Sequence, residues 1–530
     1  MRVSSIFFLL SVLCLGCNRA EESRQKAAKD NLKQIDEALK NFHETHKSPV
    51  LEFAYIICAD TEYYTTGPQQ GRPPDGKFSA GTKVKVIEKA GSYTLLRSEN
   101  GVEAFVVSDD LTQIGELGTS VALDKSPKDV SPAMPYTTDW PSWRGPNANG
   151  MADGRNLPIQ WSQTKNIRWS VKLPGWGTSS PVVQGNRVFV TSEVEEGDKK
   201  SLLTLCFDRK DGKELWQHDF GFGVNQRTHE KSNLAVNTPT ATDDSLYVAF
   251  GNADIARYTH DGKLIWVNRY IPTFGDPKMA WGYALSPLVL DDAVLFPWDH
   301  HTGPCFLIGL NKQTGEIAWK EERPIGTAHA TPLLVEHHGQ TDILVPGKNR
   351  LTAFDAKTHA ELWQYGEGEG PYNGEIIASP VYGDGMVFLQ LWRQSRIHAI
   401  RLTGNGKPPE PVWVSQKPGP VEPSLLYYRG LLYALMDNGV LICLDGKNGK
   451  EYYRQRLGGD CNSSPIASDG RIYVSNNEGK TFVVRVGTKF ELLEMNDLGE
   501  RLTASPAISG SHLIYRTDSL LYCIGATRKR

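Results

Sequence analysis

The chain has none of the short signatures that mark familiar catalytic machinery. There is no G-x-S-x-G elbow, no H-E-x-x-H pair, no Walker loop, and no G-x-G-x-x-G after a strand. The one glycine-dense run, Gly366-Glu-Gly-Glu-Gly, carries carboxylates and would repel a phosphate. The six cysteines after Cys17 contain no C-x-x-C and no adjacent pair, which argues against a cysteine zinc site. Basic runs are also missing, and the formal net charge is −3, so nucleic acid is excluded as a partner. Beyond the N-terminus no stretch reaches the roughly 20 apolar residues of a membrane-spanning helix.

What is present points to a β-rich, multi-domain protein. The 530 residues suffice for two or three domains, and 50 Gly, 31 Pro and 13 Trp imply many turns and aromatic packing. Arg2 followed by the apolar run Ile6–Leu13 reads as a signal peptide over 1–17. Leu15-Gly16-Cys17 resembles a bacterial lipoprotein cleavage box with Cys17 as the lipidated residue, although Cys14 stands where that box usually has Leu. Ordinary secretion and an uncleaved anchor are the alternatives. All three predict an exported protein, periplasmic or outer-membrane-associated if Cys17 carries lipid and otherwise secreted. Leu32, Ile35, Leu39 and Phe42 give residues 18–50 one narrow helical stripe, read as a spacer, though the run from Asn31 also resembles the segment after the membrane helix of pseudopilin-like proteins. Residues 51–115 read as a small β domain. Its Gly81-Thr-Lys-Val-Lys-Val strand, Glu99-Asn-Gly turn and closing Glu103-Ala-Phe-Val-Val resemble bacterial SH3-like domains, modules that bind peptides or cell-wall material. Residues 116–138 read as a Pro-containing linker.

From Asp139 the chain repeats. Cys-Phe-Asp-Arg-Lys-Asp-Gly-Lys-Glu-Leu-Trp at 206–216 returns in varied form at 309–319 and 353–363. A second marker, read as a small residue followed by a proline and then an apolar strand, is placed at Pro181, Pro239, Pro287, Pro332, Pro380, Pro423, Pro465 and Pro506. Each unit therefore holds four short antiparallel strands in about 40–45 residues, the period of a propeller blade. The aromatic slot is filled by Trp169, Trp216, Trp266, Trp319, Trp363 and Trp413, then by Tyr453 and Leu493. The chain enters on an outer strand at Asn166 and ends on a third strand at Leu520, so the two termini can share the last blade. The fold class is mainly β: an eight-bladed propeller over 139–530, preceded by a helix and a small SH3-like barrel. His359, standing where the repeat has Gly, predicts an altered turn.

The Asp/Asn-x-x-x-Gly-x-x-x-Trp repeat with Ser/Thr-Pro strands resembles the pyrroloquinoline-quinone-type repeat of quinoprotein alcohol dehydrogenase-like propellers. Asp139-Trp-Pro-Ser-Trp-Arg-Gly-Pro with Leu157-Pro-Ile-Gln-Trp resembles the opening of secreted bacterial members. The resemblance implies two functions. One is a non-catalytic propeller, as in the lipoprotein of outer-membrane protein assembly. The other is a dehydrogenase using pyrroloquinoline quinone and calcium. Such dehydrogenases carry a vicinal disulfide, a Glu/Asn/Asp calcium set and longer inter-blade insertions. This chain lacks the first and the last and shows no motif for the second. The expected function is thus a cell-envelope scaffold that binds an envelope protein or a polymer, attached to the membrane through a possible N-terminal lipid, with no cofactor. The quinoprotein oxidoreductase is the alternative.

A localised site is expected at the channel mouth, where the innermost strands begin. The candidates are Trp176, Trp281, Tyr283, His329, Glu375, Glu422, Asp460 and Arg501, with no catalytic or metal residue assigned. Thr178 and Asn237 occupy the same kind of slot. The long connections 221–236, 271–282 and 366–375, with the loops 193–200 and 298–304, are expected on the same face. They bring Arg227, His229, His300, His301, Tyr372 and Asn373 with them. The bland reading of this set is a solvated channel mouth with surface loops. The remaining cysteines, Cys58, Cys206, Cys305, Cys443, Cys461 and Cys523, read as small buried hydrophobes.

Overall fold

The computed structural model describes residues 55–113 and 138–525, except 58–60, 66–73, 80–81, 91–92, 108–110, 198, 223–227, 229–230, 276–282, 301–302, 324–327, 368–375 and 392–394. The signal peptide with Cys17, the spacer helix, most of the linker, Cys58, Trp281, Glu375 and the loop residues Arg227, His229, His301, Tyr372 and Asn373 lie outside the described residues.

The first described unit is a small β structure. Tyr55–Ile57, Lys83–Ala90, Tyr93–Ser98, Glu103–Val107 and Leu111–Gln113 form a five-stranded sheet in which the last strand pairs with the first. A two-stranded ribbon, Thr61–Tyr63 with Gly76–Phe78, lies beside it. Alternation does the work here. Val84, Leu96, Ala104 and Val106 face inward with Ile57 and Phe78, and their neighbours face water.

Residues 167–524 form eight four-stranded antiparallel sheets. Sheet 1 comprises Val182–Gln184, Arg187–Glu196, Lys199–Asp208 and Glu214–Phe222. Sheets 2 to 7 are equivalent meanders within 240–269, 288–323, 333–365, 381–418, 426–456 and 466–497. Sheet 8 takes Ala507–Ser509, His512–Arg516 and Leu520–Ile524 from the C-terminal end and its outer strand, Ile167–Lys172, from the start of the repeat region. Middle strands are buried on both faces and read as apolar runs, such as Ala293–Trp298, whereas outer strands alternate. Helix is almost absent. Among the described residues there is a single turn, Ile271–Phe274. The expected loop at 193–200 is instead the tip of a long hairpin, since both of its strands run on to pair Glu196 with Lys199.

The repeat's Trp and Gly join neighbouring sheets rather than serving one sheet. Trp169 on the outer strand of sheet 8 lies on Gly212 of sheet 1 and donates its indole N–H to the Arg209 carbonyl at 2.9 Å. Trp216 does the same to Gly262 and the His260 carbonyl (2.8 Å), Trp266 to Gly315 and the Lys312 carbonyl (3.0 Å), and Trp413 to Gly449 and the Gly446 carbonyl (2.9 Å). The exception falls where the sequence breaks the pattern. His359 adopts φ 62°, and Trp319 stacks on its imidazole at 3.9 Å while its own indole nitrogen is buried without an acceptor.

One segment crosses the sheets. Trp140 pairs with Val183 of sheet 1, and the Pro141 carbonyl accepts from Ala241 of sheet 2. The Trp143 indole donates to Ser379 Oγ of sheet 5, and Arg144 Nη2 to the Leu425 carbonyl of sheet 6. Gly150 accepts from Ala467 and Trp161 donates to Asn496, both in sheet 7, while Thr138 accepts from Ser509 of sheet 8. Residues 138–161 therefore act as a strap that touches six of the eight sheets.

Candidate functional site

The inner strands open on a central cavity of about 280 Å³. Its wall follows from strand geometry, in which residues two apart face the same way. One tier is made of hydroxyls at the start of each inner strand. Ser180 N–H donates to Thr238 Oγ1 (3.0 Å), Thr238 N–H to Ser286 Oγ (3.0 Å), and Ser286 N–H to Thr331 Oγ1 (3.3 Å). Across the ring, Ser379 N–H donates to Ser424 Oγ (3.0 Å), Ser424 N–H to Ser464 Oγ (2.9 Å), and Ser464 N–H to Ser505 Oγ (2.8 Å). Sheets 4 and 5 are joined one step outward, where Ala328 pairs with Ile376 in parallel. The tier two residues toward the mouth includes Thr178, His329, Ile377, Glu422, Asn462 and Thr503, all lining the cavity. Trp143 of the strap lines it as well.

This register sorts the expected site residues. His329 and Glu422, with Thr178, stand two before a ring hydroxyl and face the cavity. Trp176, Asp460 and Arg501 stand four before one and lie beyond the cavity wall, where the Arg501 guanidinium sits over the Trp176 ring at 5.5 Å and Asp460 is exposed. Asn237 and Tyr283 fall at odd offsets and point into the sheets. Asn237 donates to the Leu285 carbonyl at 2.6 Å, and Tyr283 packs fully buried against Phe296 and Trp298. The misplacement comes from the lack of one fixed offset: the described ones stand from one to five positions before their prolines, whereas those that face the cavity stand two before a ring hydroxyl.

Several buried contacts hold the lining in place. Asp299, fully buried, accepts from Ala328 N–H at 3.0 Å and pairs with Arg323 at 2.6 Å, fixing the entry to His329. Burial pushes the His329 imidazole down to about 4, so it is neutral at pH 7. Asp437 accepts the N–H groups of Val421 and Glu422 at 2.7 and 3.0 Å. The Glu422 carboxylate is then shared by Lys231 at 3.2 Å and the Asn462 amide. Glu193, also buried, accepts Leu234 N–H at 2.7 Å and pairs with Lys200 at 2.8 Å, which anchors the segment carrying Lys231. Sequence reasoning missed the hydroxyl tier, Trp143, Arg144 and Lys231. The Ser/Thr beside each proline was the available signal for the first. The Trp-x-x-Trp-Arg run was the signal for the next two.

A family model described as outer membrane protein assembly factor BamB matches residues 151–273, 288–407 and 390–490, more than half the chain. The chain belongs to this PQQ_2 family of β-propellers. Among curated relatives, the outer membrane protein assembly factor BamB of Yersinia pestis is 24% identical over 339 residues, covering 63% of this chain and 70% of that one. The tetrathionate hydrolase of Acidithiobacillus ferrooxidans is 22% identical over 438 residues, covering 65% and 81%. Among solved structures, BamB from Moraxella catarrhalis superposes with a TM-score of 0.51 at 13% identity, covering 68% of this chain and 97% of that one. A europium-containing methanol dehydrogenase superposes with a TM-score of 0.56 at 11% identity, covering 73% and 98%. At these identities the superpositions speak for the fold alone.

The described lining residues do not offer the carboxylate set that the dehydrogenase resemblance implies for a quinone with calcium. Among the described lining residues Glu422 is the only carboxylate, and its oxygens are engaged. No group of three or more His, Cys, Asp or Glu among the described residues could hold a metal ion. The described cysteines Cys206, Cys443 and Cys523 are buried, and burial pushes their thiols up to about 12.

Proposed function

We propose that this PQQ_2-family chain is a non-catalytic scaffold of the cell envelope, exported and held at a membrane through lipid on Cys17. Its eight sheets are the blades of one closed propeller, and residues 51–115 are an SH3-like module. Its partner is a protein of outer-membrane assembly, or a polymer of the envelope. It uses no cofactor. The observation that carries this reading is the family match over 151–490 to an outer membrane protein assembly factor. The ring closure is supported by contacts joining every consecutive pair of sheets, including Trp169 of sheet 8 on Gly212 of sheet 1. A macromolecular partner is supported by apolar side chains left exposed on outer strands. Leu264, Ile265 and Val267 are 45%, 39% and 39% exposed, and Val412 and Val414 are 36% and 43%.

Photo-crosslinking in the parent bacterium tests this directly, with probes at Leu264 and Val414 and at the mouth beside Glu422. The expected result is a discrete adduct with an outer-membrane assembly component, lost when Leu264→Glu and Val267→Lys are combined. Dye-linked alcohol oxidation by the purified chain after loading with quinone and calcium would instead establish the dehydrogenase reading and end this one.

A further inference from the structure

Among the described residues the donors and acceptors around the cavity do not balance. Thr238, Ser286, Thr331, Ser424 and Ser505 each accept a neighbouring strand's N–H. Ser379 accepts the Trp143 indole N–H at 3.1 Å. A hydroxyl that accepts still has its own O–H to donate. All six side chains line the cavity, so each O–H is placed to turn toward a ligand there. Thr178 Oγ1, on the next tier, is buried with no partner at all. The acceptors facing this set are already engaged. Glu422 is held by Lys231 and Asn462, and Asn462 Oδ1 by Asn477.

Charge around the cavity is unbalanced in the same sense among the described residues. Arg144 is 2% exposed, follows the lining residue Trp143, and donates to the carbonyl of Leu425, next to the lining residue Ser424. Its Nε and Nη1 are buried without a partner, and its hydrogen bonds go to two backbone carbonyls rather than to a carboxylate. Behind the opposite wall Arg516, 1% exposed, donates to Ser179 at 2.7 Å and to Ser192 at 3.0 Å. Burial lowers both guanidinium groups to about 9, which leaves them charged at neutral pH. Asp518 faces Arg501 at 3.8 Å and also acts on Arg516, so Arg516 has part of a counter-charge. Glu500 accepts from Ser519 N–H at 3.0 Å, and Asp437 holds the two backbone N–H groups before Pro423. Burial alone acts on Arg144. A buried cation without a counter-ion is unfavourable, and an anion in the cavity would supply the counter-charge to Arg144.

We propose that the central cavity is a binding site for one small tetrahedral oxyanion of sulfate or phosphate size. The hydroxyl tier and Thr178 donate to its oxygens, Arg144 and Arg516 supply the field from behind the wall, and Trp143 forms the floor. Neutral His329 contributes a single N–H. Lys231 at the rim favours entry. The site is internal and is independent of whether a macromolecule docks on the outer strands.

The test uses the full-length purified chain. Crystals soaked in selenate are expected to show one anomalous selenium peak between Trp143 and the hydroxyl tier. Calorimetric titration with sulfate and, separately, phosphate is expected to saturate at one site per chain, with chloride at matched ionic strength giving no heat; the tighter of the two identifies the preferred ion. Arg144→Gln is expected to abolish binding, but it removes strap contacts as well. Thr178→Val is therefore the deciding variant, because it keeps the side chain's shape and Thr178 Oγ1 has no protein partner to lose; Thr331→Val is read beside it, with its lost bond from Ser286 N–H checked by a denaturation midpoint. Each is expected to weaken the preferred ion about tenfold, the effect of losing one hydrogen bond to a charged group. A cavity holding rubidium rather than selenate, no saturable heat with either oxyanion, or unchanged affinity in Thr178→Val would overturn the proposal. Because the readout uses isolated protein, failure to find an envelope partner leaves it standing, and the reverse also holds.

Discussion

At the scale of single residues, the repeat glycine is constrained twice. Gly262 has φ +86°, and a Cβ there would lie 2.7 Å from the Trp216 ring of the preceding sheet. Gly430 has φ +78° with nothing within 4 Å of that position. Left-handed strain is common to both, at about 1–2 kcal/mol. Only Gly262→Ala adds the cost of overpacking, about 1–3 kcal/mol. Chemical denaturation is expected to show Gly262→Ala less stable than Gly430→Ala by that difference, and equal losses would refute the inter-sheet role of the Trp–Gly contact. Two buried titratable groups give opposite pH slopes. His329 falls from 6.5 to about 4 on folding, so between those values the unfolded chain binds the extra proton and stability rises with pH. Asp254, 8% exposed beside Asn252 and 3.6 Å from Arg269, rises from 3.8 to about 6, so over that window stability falls with pH. Each effect is at most about 3 kcal/mol. Relative to the parent protein, His329→Gln should make the slope between pH 4 and 6 less positive and Asp254→Asn more positive. Denaturation midpoints at pH 4, 5 and 6 would read both, and a shared direction would show the assignment to be wrong.

The elements explain what could be read from sequence and what could not. Four-strand units were legible because apolar runs, turn residues and the Trp marker recur with one period, and that period belongs to packing between sheets. The sharing of sheet 8 by its two ends was legible for the same reason: an outer strand without a unit before it, at Ile167–Lys172, answered a unit without an outer strand. The cavity was only half legible. Facing in or out of the channel depends on a two-residue register, and prolines were a poor anchor for it. An error of one residue turned Asn237 and Tyr283 into the sheets, while the ring hydroxyls entered only as part of the marker before each apolar strand. The strap could not be read at all, since its partners lie up to 371 residues away in sequence. The shared sheet itself yields a prediction. Ending the chain after Ser519 removes Leu520–Ile524, leaving Ile167–Lys172 without its pairing strand and His512–Arg516 as an open edge. Limited proteolysis should then digest the repeat region under conditions that leave the full chain intact. Resistance equal to the full chain would mean that closure contributes little.

At the scale of the whole repeat region, the proposed closed propeller would draw its stability from a ring of sheets and a strap across it. A ring built only of neighbour contacts resists opening weakly at any one joint, because losing a single interface frees two edges. The strap changes this by joining sheets that are not adjacent. It runs from Ser509 in sheet 8 through Val183 and Ala241 to Ser379, Leu425 and Ala467. Trp140 is its anchor, fully buried, with its ring against Gly145 and its backbone paired in both directions with Val183. Trp140→Ala is expected to cost about 3–5 kcal/mol, as for other large aromatic truncations in a core. The form of the loss distinguishes a strap from ordinary core packing. If the strap couples distant sheets, hydrogen exchange in Trp140→Ala should accelerate together in sheets 1, 2, 5, 6 and 7, the sheets its hydrogen bonds reach beyond Ser509. Acceleration confined to sheet 1, where the indole is buried, would reduce Trp140 to local packing and the segment to a lid on the channel floor.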